Sequence, residues 1–244
     1  MQAGSLNNQE KSAYREFMPA DFIIIGHRGA AGERFENTIE GFNHTLSIAP
    51  DAIELDIQEH NNELWVFHDD DMDRLTESAG PFSELDDVSK VRLNNGQPIP
   101  KLSEVLDLCW GKIALNIEAK SIANPQLLLD LLESYGELNA NPVIPWILLS
   151  SFDHNVLFDL KQRGCRWPLA PIDEAIPDNI DSIIERLAPY SCHFDDDQLD
   201  FEKLALLHRA GVRSFIYTVN SIERANQLKE SGVAGIFTDY PSHF

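Results

Sequence analysis

The chain has 244 residues, 43% apolar and 24% charged, ordinary for a soluble globular protein and enough for one large domain or two small ones. Its formal net charge of −21 and pI near 4.6 argue against nucleic acid and anionic membranes as partners. No stretch approaches the roughly 18 consecutive apolar residues of a membrane span. The first 20 residues are polar and lack the apolar middle of a secretory signal, so the expectation is a cytoplasmic protein without stable membrane insertion. Cys109, Cys165 and Cys192 are odd in number and far apart, which predicts buried thiols rather than a disulfide frame or structural zinc.

The first apolar, strand-like run is Phe22–Gly26, followed by a helix over Thr38–Ile48 with Asn37 as its cap. A strand over Ala52–Gln58 leads into an extra strand, Glu63–Phe67, paired in a hairpin that turns at Asn61–Asn62. The segment Asp69–Pro100 then reads as a long insertion. A helix over Leu102–Cys109 follows Pro100, then a strand over Ile113–Glu118 and a helix over Gln126–Tyr135 opened by Asn124–Pro125. Strand Trp146–Ser151 and helix His154–Arg163 come next, then short strands over Pro168–Pro171 and Tyr190–His193. The chain closes with helix Phe201–Ala210, strand Arg213–Val219, helix Ile222–Ser231 and strand Gly235–Thr238. Glycines 164, 211 and 232 sit just past three of these helices as stops. Strands apolar throughout, alternating with helices, predict a parallel sheet covered on both faces. Eight such units suit a closed (β/α)8 TIM barrel with a small insertion, about residues 60–100, between the second and third barrel strands. A doubly wound open sheet is the competing architecture. The barrel domain would span 22–244, with 1–21 as an N-terminal extension.

In a barrel the working residues lie at the C-terminal ends of strands and in the loops after them. After the first strand comes Gly26-His27-Arg28-Gly29, where glycines let the backbone approach a ligand; a histidine there serves either structure or chemistry. On the second strand Glu54 and Asp56 are two apart and share one face, about 6.6 Å apart along the axis. Flanked by isoleucines and a leucine, they either turn outward to water or need a divalent cation to neutralise them. Glu118 and Lys120 repeat the spacing on the third strand; with strands about 4.8 Å apart, Glu118 can join the first two carboxylates. Lys120 could simply pair with Glu118. Such an all-oxygen site suits magnesium or calcium rather than zinc. His68 ends the extra strand, and the acidic run after it lacks the glycine and final glutamate of an EF-hand. A cation and two basic groups can neutralise a phosphate, and two histidines can divide the acid and base roles, which suits phosphodiester cleavage.

The segments GHRGAAG, ENT, IELDIQ, VFHDDDMDRLT, IPKLSEVL, LNIEAK, LLSSFDHNVL, YTVN and GIFTDYP occur in this order. Together they resemble the glycerophosphodiester phosphodiesterase family over about residues 22–242. The resemblance implies a (β/α)8 barrel with a small inserted subdomain, and hydrolysis of glycerophosphodiesters to sn-glycerol 3-phosphate and an alcohol with magnesium or calcium bound. It implies His27 and His68 as the acid–base pair, Arg28 and Lys120 as phosphate contacts, and Glu54, Asp56 and Glu118 as metal ligands. Glu36 would support them, orienting Arg28. Three positions depart from the family pattern: Phe35 replaces a proline, Ala119 is smaller than usual, and Tyr217 replaces a tryptophan that walls the substrate site.

Two other readings remain open at this stage. A related phosphodiesterase acting on lysophospholipid or sphingolipid head groups would need apolar surface at the mouth, for which the insertion offers Phe82, Leu85 and Val88. These residues fit a small insertion core equally well. A non-catalytic cation-binding barrel would show degraded acid–base positions, whereas all seven candidates are present. The substrate partner is a small molecule, and nothing in the sequence argues for a particular oligomeric state.

Overall fold

A computed structural model describes residues 22–141 and 143–244; the extension read over 1–21 lies outside the described residues. The elements in chain order are β1 (Ile23–Gly26), α1 (Ile39–Ile48), β2 (Ala52–His60), β3 (Glu63–Val66), α2 (Leu102–Cys109), β4 (Ala114–Ser121), α3 (Pro125–Ser134) and β5 (Ile147–Ser151). They continue with α4 (His154–Gln162), β6 (Leu169–Asp173), α5 (Ile180–Leu187), β7 (Ser191–Asp195), α6 (Phe201–Arg209), β8 (Arg213–Tyr217), α7 (Ile222–Glu230) and β9 (Gly235–Thr238).

The sheet runs β1-β9-β8-β7-β6-β5-β4-β2, and a β1–β2 pairing closes it, so eight parallel strands form the barrel. β3 is the extra strand, antiparallel to β2, with Asn61 and Asn62 at positive φ in the turn. Helix α5 is absent from the sequence reading, although Ile180, Ile183, Ile184 and Leu187 carry helical spacing.

Strand alternation divides the core. Ile23, Ile25, Ala52, Ala114, Leu148, Ala170, Phe215 and Phe237 fill the barrel interior, alanines alternating with the large rings so that the layers fit. The intervening Ile53, Leu55 and Ile57 face outward against Val105, Leu106, Leu128 and Leu132 of the helices. Both faces of β2 are therefore covered. Glu54 and Asp56 point inward and are 2% and 1% exposed, so the outward alternative for this pair does not hold.

The insertion has its own core. Phe82 stacks on Phe67 with centroids 5.2 Å apart, and Met72, Leu75, Val88, Val91, Leu93 and Ile99 pack around them, with Phe35 and Leu85 at the edge. Phe82 and Val88 are thus buried within the insertion and offer no surface to an acyl chain. Phe35, where the family pattern has proline, ties the first loop to this core. Among the described residues no helix is long and apolar enough to cross a membrane.

Candidate active site

The parallel register sets Asp56 beside Glu118 and Glu54 beside Asn116. Ligand atoms of Glu54, Asp56 and Glu118 lie within 4.8 Å of one another. Glu54 Oε2 accepts the Arg28 backbone N–H at 2.7 Å, while its Oε1 is buried without a hydrogen-bond partner. Asp56 Oδ2 accepts from Asn37 Nδ2 at 2.8 Å. Burial, then the charges of Asp56 and Glu118, holds the Glu54 carboxyl well above its usual range. Burial and Asp56 push Glu118 up to about 7 despite Lys120 at 2.9 Å. Three buried carboxylates with too little positive charge and an oxygen left free fit a divalent cation held by Glu54, Asp56 and Glu118.

The turn after β1 is sterically tight. A Cβ on Gly26 would meet the Gly29 carbonyl oxygen at 2.1 Å, and Gly29 sits at φ +90°. Arg28 is itself left-handed, at φ 49°, a region uncommon for a residue with a Cβ. Its backbone N–H on Glu54 and its guanidinium on Glu36 Oε1, 2.8 Å away, hold it there. Glu36 also takes both terminal nitrogens of Arg74 at 2.8 Å, and the same guanidinium reaches Asp69 at 2.6 and 2.7 Å. Asp69 in turn meets His68 Nδ1 at 2.6 Å. Despite partial burial, hydrogen bonds from Arg74 and His68 draw the Asp69 carboxyl down to about 2.

Gln58 fixes the loop carrying His68: its Nε2 donates to the carbonyls of Phe67 and Asp69, on either side of the histidine. Lys120 Nζ stands 3.1 Å from His68 Nε2 and 3.9 Å from Asp56 Oδ1, besides its pairing with Glu118. Burial lowers the His68 imidazole, favouring its neutral form. Across the mouth, His27 Nδ1 meets Asp239 Oδ1 at 2.7 Å, and Asn220 Nδ2 donates to the other oxygen at 2.8 Å. Each histidine therefore has Nδ1 tied to a carboxylate, and the His68 Nε2 is met by Lys120.

These residues surround a cavity of about 190 Å³ at the C-terminal end of the barrel, lined by His27, Arg28, Glu54, His68, Glu118 and Lys120. Asn116, Phe152, Ile172, His193, Tyr217, Thr218 and Phe237 complete it. It is smaller than the roughly 300–1,000 Å³ of drug-sized sites and fits a small polar molecule. Six of the seven sequence candidates line it, and Asp56 joins them beside Glu118 and within 3.9 Å of Lys120; Glu36 stands behind Arg28, and Tyr217 forms a wall. Sequence reasoning missed Asn37, Gln58, Asp69, Arg74, Phe152, His193, Asn220 and Asp239. Several stand within the quoted motif segments, but a segment does not say which of its side chains turns toward a distant partner.

The sequence model of the glycerophosphoryl diester phosphodiesterase family matches residues 27–243. A glycerophosphodiester phosphodiesterase of Caldanaerobacter subterraneus subsp. tengcongensis is 29% identical over 90% of this chain and 94% of its own length. The human lysophospholipase D GDPD1 is 27% identical over 89% of this chain and 83% of its own. An Oleispira antarctica phosphodiesterase, solved in complex with the product sn-glycerol-3-phosphate, superposes with TM-score 0.83 at 22% identity, covering 94% of this chain and 96% of that one. The barrel, the site built on it and the sequence match over nearly the whole described chain agree: this chain belongs to the glycerophosphoryl diester phosphodiesterase family.

Proposed function

We propose that the chain hydrolyses glycerophosphodiesters to sn-glycerol 3-phosphate and an alcohol, using a divalent cation, magnesium or calcium. The observation that carries this is the meeting, in one small cavity, of three buried carboxylates, two basic side chains and two carboxylate-backed imidazoles. Glu54, Asp56 and Glu118 would hold the cation, which when bound draws charge from a phosphoryl oxygen. Arg28 and Lys120 orient the phosphate and oppose its developing charge, reversing locally the acidic field of the chain. The His68 Nε2, 3.1 Å from Lys120 Nζ, would accept a proton from the attacking water once the ammonium turns to the phosphate. His27, its Nδ1 held by Asp239, would then give a proton to the leaving alcohol oxygen. Residues 22–244 act in this reading as one catalytic domain, with the insertion about 60–100 carrying His68 and its supports. Three free thiols suit a reducing, cytoplasmic setting.

Coupled detection of sn-glycerol 3-phosphate from glycerophosphocholine, with EDTA and then with added magnesium or calcium, tests the reading. Metal-restored release is expected; no release from folded protein with either cation would refute it. Lysophospholipids belong in the same assay because of the human relative. The burial of Phe82 and Val88 argues for much weaker turnover of these lipids.

A further inference from the structure

The cavity mouth is electrostatically lopsided. Arg28 and Lys120 stand on the β1–β4 side. On the opposite side, alternation along β7 puts Ser191, His193 and Asp195 on the inner face, and Asp195 is the register partner of Tyr217 on β8. Glu174 adjoins it, its carbonyl accepting the Asp195 N–H at 3.1 Å. Among the described residues neither Asp195 nor Glu174 has a lysine or arginine within ion-pair distance. Asp195 Oδ1 caps a short turn through the Asp197 N–H, which does not neutralise its charge.

Between the two sides stands an aromatic wall. Phe152, just past β5, meets Tyr217 edge-on with centroids 6.1 Å apart. Phe152 stays 45% exposed although Lys120 Nζ lies 5.3 Å from its centroid. The Tyr217 hydroxyl is committed to the Asp173 carbonyl at 3.0 Å, which fixes the ring as a wall. Burial, then Asp195, Glu118 and Glu174, raises the phenol, as a negative field at the ring would. His193 on this side is 1% exposed; its Nε2 meets Ser191 Oγ at 3.0 Å, and its ring lines the cavity with Nδ1 unpaired. Its burial holds it near a pKa of about 3, so it adds no positive charge.

Taking the phosphodiesterase reading as given, we propose that Phe152, Tyr217 and Asp195 form a subsite for a cationic head group on the leaving alcohol, a quaternary or primary ammonium. With the phosphate on Arg28 and Lys120, whose Nζ lies 5.3 Å from the Phe152 centroid, a two-carbon link would bring the ammonium to the aromatic wall, on the side where Asp195 pairs in register with Tyr217. Neutral and acidic head groups gain nothing there.

The test compares kcat/KM for glycerophosphocholine, glycerophosphoethanolamine and glycerophosphoglycerol, followed by release of sn-glycerol 3-phosphate with magnesium present. The wild type should prefer the two cationic diesters. Asp195→Asn keeps the turn cap and removes only charge, and should cut the choline-to-glycerol ratio by roughly fivefold to tenfold; Phe152→Ala should cut it similarly. Glu185→Gln, the same charge change on exposed helix α5, should leave the ratio alone and so separates the subsite from general attraction to an acidic protein. Choline chloride should inhibit competitively, and more weakly in Asp195→Asn. Release without head-group preference, or a ratio unmoved in both site variants, overturns the subsite while leaving the phosphodiesterase reading intact. No release from any diester overturns both.

Discussion

Asp56 and Glu118 stand at one level of two neighbouring barrel strands, and Glu54 lies one pleat deeper than Asp56 on the same face. Backbone register, not side-chain adaptation, thus crowds three carboxylates into one buried site. Without a cation the arrangement is destabilising, so a cation bound by these carboxylates should raise stability as it binds.

Glu54→Gln should raise the melting temperature of the metal-free protein while lowering metal-dependent turnover sharply. In the wild type, a cation at about 100 times its Kd should add about 2.7 kcal/mol, a rise of roughly 5–10 °C for a chain of this size. Thermal melts in EDTA, magnesium and calcium check both halves. A wild-type melt indifferent to both cations would contradict the site.

His27→Ala and His68→Ala should each lower kcat by roughly 10²–10⁴-fold with little change in stability, since both side chains are partly exposed. Asp239→Asn should do less, because it disturbs the orientation of His27 without removing its imidazole. An unchanged rate in either histidine variant would remove that residue from the mechanism.

Arg74 grips Glu36 and Asp69 at once, and through them Arg28 and His68. Arg74→Lys keeps the charge but loses the fork. It should lower kcat/KM by roughly tenfold to a hundredfold, by letting the Arg28 guanidinium and the His68 imidazole drift together. Steady-state kinetics would show kcat falling and KM rising; parameters equal to wild type would mean the bridge is ornamental to catalysis.

His193 and His208 titrate at about 3 and about 4 because burial disfavours their charged forms. Unfolded histidine takes a proton near pH 6.5. Between these values the unfolded chain binds more protons at these two sites, so both histidines lower stability as pH falls from about 6.5 toward 4, against the opposite contribution of the raised Glu54 and Glu118 carboxyls. Each histidine contributes a slope of about 1.4 kcal/mol per pH unit. Urea unfolding across this range in metal-free protein measures the sum, and His193→Asn should remove its share of the slope. An identical slope in that variant would show that His193 does not contribute.

Much of this protein was legible locally. Apolar runs alternating with helical spacing implied the closed parallel barrel, because a strand covered on both faces must be apolar on both. The two-residue spacing of Glu54 with Asp56 and of Glu118 with Lys120 placed them on a common face, since the strand period is two. Even the missed α5 carries its signal in Ile180, Ile183, Ile184 and Leu187, within only eight residues.

What tertiary structure alone decided is who stands beside whom. Asp239 meets His27 across 212 residues of chain, Arg74 meets Glu36 across 38, and Asn37 meets Asp56 across 19. Phe82 and Val88 read as apolar in sequence, yet only packing against Phe67 made them an insertion core rather than a lipid surface. Periodicity reports which way a side chain faces and whether it must be buried. Its neighbours depend on how the strands close into a ring and in which register, a condition on the whole chain that no local window contains.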